Sequence, residues 1–112
     1  MAFADAVLGL VDRLPTSPAG NAIAYQLADS ATSVASNYRA TCNARSRREF
    51  IAKLGLVVEE ADESACWLEL IRRRQMIPVT VVRPLLAESL ELRNILGKSL
   101  GTARANARQS TK

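Results

Sequence analysis

Proline and glycine punctuate this chain at "LPTSPAG", "IPV", "RP" and "LGKSLG", and the long stretches between them carry helical periodicity. No period-two alternation runs long enough to build a sheet. That punctuation limits the fold to an all-α one. The palette agrees: hydrophobic residues make up 48% of the 112 but aromatics only 4%, so Leu, Ile, Val and many Ala must fill the core. Such residues suit helices packed at close range. At this length a single core is expected.

Four helices are predicted. The first covers 2–13 and stops before Pro15. The second opens at Ser17, a good N-cap, with Pro18 in the first helical position where no backbone donor is needed. Ile23, Leu27, Ala31, Val34, Ala35, Tyr38 and Cys42 recur at helical spacing and carry it to about Ala44. In "SRRE", Ser46 and Glu49 have capping-box spacing, and Phe50, Leu54, Val57 or Val58, Ala61, Ala65 and Leu68 continue one apolar face to about Arg74. The cationic run Arg72–Arg74 suits a helix C-terminus. The fourth helix is placed at 79–103, with Leu85, Leu86, Ile95, Leu96 and Leu100 inward and Pro84 able to kink its second turn. Short connections make neighbours antiparallel, so the architecture is an up-down-up-down four-helix bundle spanning 1–103. The tail 104–112, "RANARQSTK", lacks large apolar residues and is expected to be disordered.

No apolar run is long enough to span a bilayer, and "MAFADAVLGLVDRL" has no basic segment ahead of its apolar part, so a cytoplasmic protein without membrane contact is expected. In a reducing compartment Cys42 and Cys66 should be small buried thiols. The chain contains no histidine. That removes the usual general base, the His-oriented nucleophile and the Glu-x-x-His di-iron motif, and no phosphate loop or zinc spacing replaces them. An enzyme is not expected, and neither is a cofactor or a metal.

The hydroxyl-rich face of helix two, Ser30 to Ser36, runs beside the acidic segment "EEADE" of helix three. A polar seam is therefore expected, in which Ser33, Asn37 and Arg39 meet Glu60 and Glu63. Glu59 and Glu63, four apart on one face, also have the spacing for metal or acid–base work. All those acids sit on one helix, however, and helix two offers only Asp29.

The cations follow a clearer plan. Residues 39–53 carry Arg39, Arg45, Arg47, Arg48 and Lys53 against Glu49 alone, residues 59–69 carry five acids and no base, and Lys98, Arg104, Arg108 and Lys112 follow. In an up-and-down bundle the turn between helices two and three and the end of helix four share a pole, while Arg13, Arg72, Arg73, Arg74 and Arg83 gather at the opposite one, so an acidic belt with basic ends is expected. Arg45, Arg47, Arg48, Lys53, Lys98 and Arg104 are thus candidates for gripping a phosphate backbone, while the same charges could simply be solvated helix ends. Apolar residues on the outer helices, Val7, Leu8, Leu10, Val11, Val81 and Val82, exceed what one thin core should hide and point to self-association.

The segment Tyr25–Ile71 resembles the four-helix bundle proteins encoded in intervening sequences of bacterial 23S ribosomal RNA genes. Gln26, Leu27, Ser30, Thr32, Ser33, Asn37, Tyr38, Ser46, Phe50, Lys53, Leu54, Glu60, Glu63, Trp67 and Leu68 match that family's pattern. Asp29 stands where the family usually has Arg, and Ala40 and Thr41 where a Glu commonly follows the Asn-Tyr-Arg triplet. The resemblance implies a homopentameric bundle with no established enzymatic activity. It also implies kinship with a basic pentameric accessory protein of diversity-generating retroelements that binds nucleic acid and a reverse transcriptase. Two functions are carried forward: a non-catalytic homo-oligomer binding RNA or DNA backbone, and a structural or adaptor oligomer recognising another protein.

Overall fold

The computed structural model describes residues 2–110, which form four helices: α1 (Ala2–Val11), α2 (Pro18–Cys42), α3 (Arg47–Arg73) and α4 (Val79–Ser110). Each start follows from its local sequence. Ser17 is extended and accepts the Gly20 N–H at 3.0 Å, with Pro18 behind it; Ser46 does the same for the Glu49 N–H at 3.0 Å. The Glu49 carboxylate reaches back to the Arg45 N–H at 3.4 Å.

The ends are equally local. Asn43 closes α2, its side-chain amide donating to the Arg39 carbonyl at 2.9 Å. After α3, Gln75 takes a left-handed φ of 54°, the Met76 N–H bonds the Ile71 carbonyl and the Gln75 N–H the Arg72 carbonyl, both at 3.1 Å. This is the Schellman arrangement, made here with glutamine where glycine is usual. Helix α1 stops at Val11, two residues short of the expected 13, and Asp12 to Leu14 turn toward Pro15.

Helix α3 lies against both α2 and α4, and α1 closes the square by touching α2 and α4. Among the described residues α2 and α4 nowhere approach along the diagonal. That is the up-down-up-down bundle expected from the short connections. Phe3, Val7 and Leu10 of α1, Ile23, Leu27, Ala31 and Val34 of α2, Val57, Ala61, Leu68 and Ile71 of α3, and Ile77 and Val82 form one core. Ten residues make a marginal helix alone, so α1 is held by its three buried anchors, each contributing about 1.5–3 kcal/mol. Val7, Leu10 and Val82 are therefore core residues and not surplus surface, which corrects the reading of the outer helices.

Further expectations change. Residues 104–110 continue α4 instead of forming a disordered tail, and Thr111 and Lys112 lie outside the described residues. Ala and Arg lead the helix-propensity scale, and extending an existing helix carries no nucleation cost. At 32 residues α4 is about 48 Å long, which gives the molecule its 54 × 22 × 20 Å shape and a radius of gyration of 15.6 Å, against about 13 Å for a compact chain of this size. The helix also runs unbroken through Pro84. Because α1 is less than half as long as α2, the α2 stripe leaves the core beyond Val34: Tyr38 and Cys42 are exposed, as are Phe50 at the start of α3 and Ile95 on α4. Cys66 is exposed too, one position past buried Ala65 on the outer side of α3.

Candidate nucleic-acid interface

Helix α2 spends its polar groups on itself. Thr32 donates to the Ala28 carbonyl at 2.7 Å, Asn37 to that of Ser33 at 3.0 Å and Thr41 to that of Asn37 at 2.8 Å. A hydroxyl or amide within a helix has the carbonyl four residues back as its nearest acceptor, and no carboxylate on α3 comes closer. Asn37 and Arg39 thus do not meet Glu60 and Glu63, contrary to expectation. Arg39 is exposed and lines a groove with Ala2, Asp5, Leu8 and Ala35 instead. The polar contact that does join the hairpin is deeper: Ser64 Oγ lies 2.9 Å from Ser30 Oγ, both fully buried, and Ser89 of α4 donates to the Ala61 carbonyl at 2.7 Å. Serine at these points lets backbones approach while its hydroxyl stays bonded.

The acids of α3 form a band, one member of which, Asp62, meets a cation. Partial burial, then the nearby charges of Glu63 and Asp29, push the Glu60 carboxyl above its usual range. Asp29 of α2 thus puts a like charge across the hairpin from Glu60. Glu63 accepts the Trp67 indole N–H at 3.4 Å. Further along α3, hydrogen bonds from Arg72 and Arg73 hold Glu69 down at about 2, while within the band Arg93 of α4 reaches Asp62 at 2.8 Å. Among the described residues no group of His, Cys, Asp and Glu is arranged to hold a metal ion.

The basic pole is where the chain turns from α2 to α3 and where α4 ends. Arg45, Arg47 and Arg48 lie in or next to that turn and all are exposed; Lys53 follows one turn and a half into α3. The end of α4 comes to the same place, since a methyl group built on Gly55 would lie 3.8 Å from the Arg104 guanidinium. A shallow concavity of about 460 Å³ joins the two segments, with Ala44, Arg45, Ser46, Arg47 and Phe50 on one side and Ala103 and Asn106 on the other. Lys98 is exposed on α4, nearer the middle of the helix. Among the described residues, the ion pairs Arg72–Glu69, Arg73–Glu69 and Arg93–Asp62 draw on none of Arg45, Arg48, Lys53, Lys98 and Arg104. Sequence reasoning missed Asn106 and the small walls Ala44 and Ala103, because it ended α4 at 103; the Ala- and Arg-rich composition of 103–108 was the available signal.

The architecture is an elongated four-helix bundle with arginines gathered at both ends, and among the described residues no helix is long and apolar enough to cross a bilayer. Residues 1–98 match the 23S rRNA-intervening sequence protein family, and the chain belongs to it. Its fold is similar to a crystal structure of a protein of unknown function from the S23 ribosomal protein family of Bacteroides thetaiotaomicron. The two are 29% identical, with a TM-score of 0.80 over 88% of this chain and 92% of that one. Among curated proteins none matches.

Proposed function

We propose that this chain is a non-catalytic, cytoplasmic, homo-oligomeric bundle protein that binds the sugar-phosphate backbone of RNA or DNA through the pole bearing Arg45, Arg47, Arg48, Lys53 and Arg104, with Lys98 extending it along α4. The observation that carries this reading is the convergence of the 45–48 turn and the last turns of α4 on one concavity, which brings together cations distant in sequence. Phosphates held by such cations displace condensed counterions, so binding is expected to be sequence-tolerant and steeply salt-dependent.

Self-association supports the same reading. Leu8, Tyr25, Tyr38, Leu56, Leu70, Val79 and Ile95 remain exposed, and covering them between subunits would stabilise an assembly. A ring, five-membered by family resemblance, would repeat the cationic pole once per subunit and convert a weak grip into a multivalent one. Light scattering tests the assembly: a closed oligomer is expected, and a monomer at micromolar concentration removes the avidity argument. Copurification tests the binding: the protein should emerge from lysate with material absorbing at 260 nm and lose it in salt.

The alternative, an adaptor that recognises a protein, is favoured by one feature. An apolar groove of about 710 Å³ runs between α1 and α2, with Asp5 and Arg39 at its rim. Salt-insensitive retention of a protein, without nucleic acid, would put that reading first.

A further inference from the structure

The concavity at the basic pole has a property that backbone binding does not use. Its floor includes an aromatic ring: Phe50, 37% exposed, sits among the cations of the α2–α3 turn. Ala44 beside the ring and Ala103 on the α4 side add only methyl groups to the lining, with Asn106 next to Ala103. Burying Phe50 in the core would have been available to a chain whose core is otherwise poor in aromatics; instead, the first turn of α3 places it beside Arg45, Ser46 and Arg47. A planar apolar face bordered by guanidinium groups suits a ligand that is itself planar and carries phosphates on either side.

We propose that this concavity takes an unpaired nucleobase, stacked on Phe50, with Arg45 and Arg47 holding the flanking phosphates, so that the protein prefers single-stranded nucleic acid to duplex. The proposal rests on the backbone-binding reading and narrows it. In a duplex the bases are stacked on each other inside two phosphate strands and have no free face to lay on an aromatic ring, whereas a single strand offers both its phosphates and a free base face. Every base has such a face, so the preference is for strandedness and not for sequence.

The test uses the full chain in fluorescence anisotropy with a labelled mixed-sequence oligonucleotide of about 12 nucleotides, as RNA and as DNA, single-stranded and annealed to its complement, at ~50 mM salt. The single strand should bind about 5- to 150-fold tighter than the duplex, the span that one stacked base supplies. Phe50→Leu should abolish that advantage, lowering single-strand affinity by the same factor, while the salt dependence set by the arginines persists. Phe50→Trp should keep the advantage, and its added indole should be quenched by the single strand but not by the duplex. Comparing RNA with DNA reports whether the ribose hydroxyl contributes.

Equal, salt-dependent binding of both forms that Phe50→Leu does not alter overturns the base site and leaves backbone binding standing. No binding of either form overturns both. A Phe50→Leu variant whose particle mass changes in light scattering, with both affinities falling together, assigns Phe50 to a subunit contact and also overturns the proposal.

Discussion

Replacing Gly20 by alanine should destabilise the bundle even though alanine is the better helix former. Gly20 lies in the first turn of α2, and a β-carbon there would fall 2.0 Å from the Pro15 carbonyl oxygen and 3.1 Å from Ser17 Oγ. Contacts become ordinary only from 3.4 Å, and the obstacle is backbone, so the α1–α2 connection itself must move. Moving it disturbs the Ser17 cap and the Ser17 N–H bond to the Pro15 carbonyl. Overpacking costs about 1–3 kcal/mol and a lost cap about 1 kcal/mol, against about 1 kcal/mol gained in helix propensity. The net is a loss of about 1–3 kcal/mol, or a fall of roughly 4–12 °C in Tm. Gly97→Ala is the control, because nothing lies within 4 Å of a β-carbon there and the same propensity gain of about 1 kcal/mol should appear undiminished. Urea unfolding of both variants at one protein concentration gives the midpoints, with unchanged slopes required for the comparison. If Gly20→Ala stabilises as much as Gly97→Ala, the close approach of Pro15 is not what glycine serves.

Burial and the charges of Glu63 and Asp29 raise the Glu60 pKa, so its ionised form weakens the fold, and stability should rise as pH falls from neutral through that raised pKa, levelling below the ordinary 4.5. Glu60→Gln should accordingly raise Tm at neutral pH and match the wild type below 4.5. Glu69 has the opposite sign: the bonds from Arg72 and Arg73 contribute stability above 4.5 that is lost as pH falls toward about 2, and Glu69→Gln should flatten that acid limb. Asp29→Arg turns a like-charge neighbour of Glu60 into an opposite one and should raise thermal stability at neutral pH and low salt, an effect that added salt diminishes. Gln75→Gly relieves a left-handed glutamine and should stabilise by about 0.5–1 kcal/mol in the same urea assay.

The caps at Ser17 and Ser46, the Pro18 start and the core stripe from Ile23 to Val34 were legible in the sequence, because each depends on residues within a turn or two. The exposure of Tyr38, Cys42 and Ile95 was not, because it depends on how far α1 reaches along its neighbours. The hairpin seam shows the same divide. That helix two is rich in hydroxyls was plain, but whether Asn37 bonds Ser33 or a carboxylate on α3 is decided by which acceptor the folded geometry brings nearer. The basic pole followed from topology and the placing of the arginines, since two antiparallel helices, α3 and α4, carry the chain away from the α2–α3 turn and back to it. The aromatic floor of that pole did not follow, because helical periodicity assigned Phe50 to the core face.

Salt titration of binding measures the role of the basic pole most directly. For the wild type, log K should fall linearly with log salt, by about 0.7 to 0.9 for each phosphate contacted, and with similar affinity for unrelated sequences. Changing Arg45, Arg47 and Arg48 together to alanine should flatten the slope by about 2 to 3 while the helical signal and particle mass stay unchanged. A wild type that retains no nucleic acid at ~50 mM salt, or a triple variant with the parent slope, would contradict the assignment of this pole as the nucleic-acid interface.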